Sequence, residues 1–127
     1  MIRLALAPLL LAAGLAAASA AEPLRALPPA MVGTWGYEAR SCTEETDDGR
    51  VEVKPREVTF FAAFCRFSRI RVERGTIVGS GRCRGEGETQ VDQGDVSFRQ
   101  ISPTRLEINV QNSPHIYQRC DRPLPVR

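Results

Sequence analysis

The sequence predicts an all-β protein: an up-and-down antiparallel β-barrel of about eight short strands, stapled by disulfides. Three observations carry that prediction. Segments rich in β-branched and aromatic residues recur every 8 to 12 residues or so, with turn signals between them. After residue 20 no segment keeps apolar residues at i, i+3 and i+4 for three turns, so no regular helix is expected. Four cysteines, an even number, lie in a small chain that opens on an export-type leader, the setting in which cysteines pair.

The leader comes first in the chain. Residues 1–20, MIRLALAPLLLAAGLAAASA, have one early positive charge at Arg3, an apolar run from Leu4 to Ala18 and a small-residue ending. This is the tripartite signal-peptide pattern, with cleavage expected after Ala20 or Ala21. A membrane anchor would need about 20 strongly apolar residues, whereas this run is Ala-rich and interrupted by Pro8 and Gly14. No second apolar run follows, so no membrane span is expected. Removing 20 residues from 127 leaves 107, enough for one core. The expected division is a signal peptide over 1–20, a flexible proline-containing segment over 21–31, one barrel domain over 32–122 and a tail over 123–127. The expected product is a monomer in the periplasm or outside the cell.

The strands read in order as GTWGYEA, VEV, REVTFFA, CRFSRIRVE, GTIVGSGRC, DVSFRQI, RLEINV and HIYQRC. Alternation is clearest where Leu106, Ile108 and Val110 share one face and Glu107 and Asn109 the other; Val96 and Phe98 behave likewise. Between 63 and 72 the parity flips, from Ala63, Cys65 and Phe67 to Ile70 and Val72, which predicts a one-residue bulge near Ser68-Arg69. Gly79 and Gly81 fall on an inward face, as at a tight barrel corner or beside a bulky side chain.

The cysteines are separated by 22, 17 and 36 residues, with no C-x-x-C knuckle, so zinc is disfavoured and disulfides are expected. Cys65 and Cys83 lie on consecutive segments joined by the Arg74-Gly75 turn and can face each other across a hairpin. Cys42 follows the first strand and Cys120 ends the last, which are neighbours only if the barrel closes. The expected pairs are Cys65 with Cys83 and Cys42 with Cys120.

Gly33-Thr34-Trp35 resembles the G-x-W motif on the first strand of lipocalins and related β-barrels. In those proteins the tryptophan closes the barrel base and an arginine of the last strand packs over its ring. The resemblance implies Arg119 as that partner. Gly33-Thr34-Trp35, Cys83-Arg84-Gly85-Glu86-Gly87 and the ending Tyr117-Gln118-Arg119-Cys120 together look like small secreted proteobacterial proteins of uncharacterised function. A weaker likeness is to periplasmic metalloprotease inhibitors, small barrels with an N-terminal trunk, whose place AEPLRALPPA would take.

Catalytic and metal chemistry find little support. Gly79 to Gly85 misses G-x-G-x-x-G spacing and precedes no helix. His115, the single histidine, lies beside Pro114 without an adjacent nucleophile motif. Glu44, Glu45, Asp47 and Asp48 lack EF-hand spacing and read as a solvated loop. Glu86 and Glu88 flank a glycine turn and read as exposed. No enzyme activity, metal or cofactor is expected. Without Arg3, 16 basic residues face 15 acidic ones, which gives no pull toward nucleic acid. Arg66, Arg69, Arg71, Arg74, Arg82 and Arg84 fall on two adjacent segments; five of them, Arg74 excepted, form a candidate surface for an unknown protein or an anionic envelope component. The interior, with Trp35, Tyr37 and all five phenylalanines, Phe60, Phe61, Phe64, Phe67 and Phe98, counted toward it, is expected to be mostly solid. Function is then expected on the outside, as non-catalytic binding. The alternatives are inhibition of a secreted protease or other hydrolase, and carriage of a small hydrophobic ligand.

Overall fold

The computed structural model describes residues 21–88 and 91–120. The predicted leader and the 123–127 tail lie outside the described residues. Nine strands form: β1 Glu22–Leu24, β2 Gly33–Gly36, β3 Arg50–Lys54, β4 Glu57–Thr59, β5 Ala63–Glu73, β6 Thr76–Gly85, β7 Asp92–Ser102, β8 Arg105–Val110 and β9 Ser113–Arg119. Strands β2 to β9 each pair antiparallel with the next in sequence, and β2 pairs back onto β9, closing an eight-stranded barrel. The only helical element among the described residues is a single 3₁₀ turn, Ala39–Cys42.

The core follows the alternation of the strands. Trp35, Val51, Val53, Val58, Phe67, Val96, Phe98, Leu106 and Ile108 are all essentially excluded from solvent, and Phe67 meets Phe98 edge-on with ring centroids 5.9 Å apart. The register of β5 on β6 slips between Phe67 and Arg69, so Cys65 and Phe67 point inward before the bulge and Ile70 after it. Gly81 faces this bulge. A Cβ there would stand 1.9 Å from the Arg66 carbonyl oxygen, so the two backbones come this close only because that side chain is missing. At Gly79 a Cβ would meet the Phe67 ring at 2.7 Å.

Three sequence expectations need correction. Residues 21–31 are not a loose lead-in. β1 pairs with Ile70–Val72 of β5, the Leu27 N–H donates to the Pro55 carbonyl at 2.7 Å, and Leu27 and Met31 are buried in the core. The prolines suggest looseness, but burial of these two apolar side chains, worth about 1.5–3 kcal/mol each, holds the strap down. Tyr37, Phe61 and Phe64 do not fill the interior: they are 52%, 57% and 38% exposed. Phe64 lies between inward-facing Ala63 and Cys65 and so points out. The interior is also solid only at one end, as described next.

Candidate functional site

The two barrel ends differ. At the closed end the 25–32 strap crosses the opening. The Trp35 Nε1–H donates to the Met31 carbonyl at 2.9 Å, and the Arg119 guanidinium stacks 4.4 Å from the centroid of the indole ring. Arg119 also donates to the carbonyls of Val32 at 3.2 Å, Pro103 at 3.3 Å and Ala30. Gly33 has φ +142, and a Cβ on it would lie 2.9 Å from Arg119 Nη1. Glycine is therefore needed twice over, for the backbone angle and for the arginine. Gly33, Trp35 and Arg119 thus form one closure, with Trp35 and Arg119 directly paired across β2 and β9.

The disulfides join Cys42 to Cys120 and Cys65 to Cys83. The first ties the 3₁₀ turn to the chain just past β9, where the turn packs Ser41 and Cys42 against Gly36 on the outside of β2. The second lies across β5 and β6 near the other end of the barrel.

That other end is open. It holds a cup of about 930 Å³, walled by Phe60, Ile108, Val110, Tyr117 and the Cys65–Cys83 bridge, with a rim that runs over Glu88, Asp92, Asp95, Asn109 and His115. Burial pushes the Tyr117 hydroxyl pKa above its usual value, and nearby Tyr37 adds to this, so the phenol stays neutral. Tyr37 packs edge-on against both Tyr117 and His115. The Asn109 Oδ1 is buried without a hydrogen-bond partner among the described residues. Glu88 accepts from the Gly85 N–H at 3.3 Å and Asp95 lies 3.9 Å from Arg71, while Asp92 has no ion pair among the described residues. The rim therefore carries three carboxylates, Glu88, Asp92 and Asp95, against one guanidinium, Arg84.

His115 lies 3.2 Å from the Ser113 hydroxyl. The spacing of two along one strand puts them on the same face, a neighbour relation the sequence reading overlooked. Both are exposed, and no carboxylate orients the ring among the described residues, as a serine–histidine pair requires for nucleophilic chemistry. The acidic loop is structural. Asp47 accepts from the Ser41 hydroxyl at 2.6 Å and the Gly49 N–H at 2.8 Å and faces Arg40 at 3.2 Å. The Ser41 bond foremost, then Gly49 and Arg40, holds its carboxyl below the usual carboxylate range. Among the described residues no three His, Cys, Asp or Glu side chains gather as a metal site, and no helix is long and apolar enough to cross a membrane.

The candidate arginines divide. Arg71 is engaged with Glu73 at 2.6 Å and with the Ser80 hydroxyl at 2.7 Å. Arg66, Arg69, Arg82 and Arg84 have no ion pair among the described residues. Arg66 and Arg82 stand directly opposite each other on β5 and β6. Arg56, which the sequence did not single out, joins them at a recess of about 350 Å³ with Ser68 and Gln93. Its place depends on the β4–β5 register, which is hidden in a linear reading.

Compared with protein-family models, with curated proteins and with solved structures, the chain has no match.

Proposed function

We propose that this chain is an exported, non-enzymatic binding protein that takes its ligand in the open mouth of the barrel. The observation that carries the reading is the asymmetry of the two ends. One end is sealed by Trp35, Arg119 and the strap, and the other holds the 930 Å³ cup. Small barrels place ligands in such a mouth. The apolar walls suit the body of a small molecule or a peptide side chain. The rim, with Glu88, Asp92 and Asp95 against the single Arg84, suits a ligand that brings hydrogen-bond donors or a positive charge. The apolar walls also favour the hydrophobic-carrier alternative, which differs in requiring no donor on the ligand. The inhibitor alternative draws on a deformable projection, and the segment that would supply it is fastened to β5 and the core.

The test is an amide NMR titration of the mature chain with matched aryl-alkyl amines, alcohols and carboxylic acids. Saturable shifts at Gly94, Ile108, Val110 and Tyr117 with the amines, and an unmoved Trp35 indole signal, are expected. Equal response to all three series supports the carrier alternative. Absence of saturable shifts at the mouth refutes both readings. Export is checked separately: the chain recovered from the envelope or medium should begin at Ala21 or Glu22 by mass spectrometry.

A further inference from the structure

We propose that the outer face of β5 and β6 carries a second binding site, for a tetrahedral oxyanion such as a phosphate or sulfate group, with Arg56, Arg66 and Arg82 as its cationic ligands. The site begins with an apparent fault in the sheet. Like charges directly opposite one another on antiparallel strands repel, yet Arg66 and Arg82 occupy such a pair. Glu57 flanks Arg66 on β4, but forms no ion pair with it. Gln93 flanks Arg82 on β7, so the row ends on a neutral amide.

The bulge between Phe67 and Arg69 turns this row into a recess. Ser68 is the unpaired residue of the bulge, and the carbonyls of Phe67 and Ser68 accept from Arg56 Nη2 at 3.1 and 3.3 Å. Arg56 Nη1 donates to the Arg25 carbonyl at 2.6 Å. Three main-chain acceptors thus hold one guanidinium in place before any ligand arrives. Among the described residues, those lining the recess supply donors from three arginines and an amide and include no carboxylate. Opposed Cα atoms on antiparallel strands are about 4.5–5.5 Å apart, so one oxyanion can bridge two guanidinium forks and meet the third. Its arrival cancels the Arg66–Arg82 repulsion. The three arginines take no part in the mouth cup, which shares only Gln93 with the recess, so the two sites stand or fall separately.

The experiment follows arginine Nε–H and backbone signals by NMR while inorganic phosphate replaces chloride at constant ionic strength. Saturable shifts are expected at Arg56, Arg66, Arg82 and Ser68, with affinity lost at least about tenfold in the Arg66→Gln, Arg82→Gln double variant. An unchanged Trp35 indole signal in that variant shows the barrel intact, and Arg99→Gln, remote on β7, should bind as the parent does. A second arm floats the protein with vesicles of phosphatidylglycerol or of phosphatidylcholine. Retention on the first alone, lost in the double variant, assigns the phosphate to a lipid headgroup; saturation by free phosphate without retention assigns it to a soluble ligand. Linear shifts of equal size at Arg66, Arg82 and Arg99, together with vesicle binding indifferent to the double variant, would overturn the proposal.

Discussion

Replacing Arg119 by methionine keeps most of the side-chain stem and removes the guanidinium that closes the barrel. The loss has two parts. The stacking over Trp35 at 4.4 Å contributes about 1 kcal/mol at a half-buried site. Of the three carbonyls that Arg119 binds, those of Ala30 and Pro103 belong to exposed residues and regain water, whereas the Val32 carbonyl is part-buried and costs roughly 1–2 kcal/mol when left unmet. The expected destabilisation is therefore about 2–3 kcal/mol, or a fall in Tm of roughly 10–20 °C for a domain of this size. Urea denaturation followed by Trp35 fluorescence measures it. The strap should also loosen before the barrel unfolds, which limited trypsin cleavage after Arg25 would register. Arg119→Lys retains the charge but not the planar fork, and should recover less than half of the loss. Gly33→Ala adds a diagnostic coupling: the 2.9 Å approach to Arg119 Nη1 vanishes in the methionine background, so the double variant should be less unstable than the sum of the two singles. Stability of Arg119→Met within about 0.5 kcal/mol of the parent would refute the closure argument, since surface substitutions without such contacts fall in that range.

Gly81→Ala should destabilise by about 3 kcal/mol or prevent folding, because a Cβ 1.9 Å from the Arg66 carbonyl forces the β5 bulge to move; Gly75→Ala, which meets no atom within 4 Å, should cost only about 1 kcal/mol for its positive φ. Serine at both Cys42 and Cys120 should cost about 4–5 kcal/mol and at both Cys65 and Cys83 about 3 kcal/mol, from sequence separations of 78 and 18, compared by urea titration. Asp47 has a depressed carboxyl pKa in the fold, so its contribution is complete above the ordinary carboxylate range and is lost as pH falls through the lower, folded value. Acid titration should release the Ser41 and Gly49 amide signals before the barrel opens, and Asp47→Asn should abolish that early step.

Much of the barrel was legible in the sequence because its signals are local. The parity flip between Phe67 and Ile70 located the bulge, and the Arg74-Gly75 turn put Cys65 opposite Cys83. The resemblance of Gly33-Thr34-Trp35 to a known motif pointed to Arg119 across the seam. What escaped notice depends on surroundings that residue type alone does not carry. Prolines in the 21–31 segment masked the two anchors Leu27 and Met31. Counting aromatics as core overlooked that Phe64 has the wrong parity and that Tyr37 lies past the last inward position of β2. The cup is assembled from residues of β5 to β9, far apart along the chain, and Arg56 reaches Arg66 and Arg82 only through pairing across strands.

The β2–β9 seam has a consequence for how the chain reaches this shape. Every other joint of the barrel links consecutive strands, all but β2–β3 through a short connection and that one through residues 37–49, so each can form as its own local pairing is made. The seam must wait for both ends of the domain to meet, and it consists of only two residue pairs, Trp35 with Arg119 and Gly36 with Gln118. Loop-closure entropy therefore falls almost entirely on the final step. The Cys42–Cys120 bridge, which joins the two ends beside this two-pair seam, makes their meeting permanent once it is oxidised.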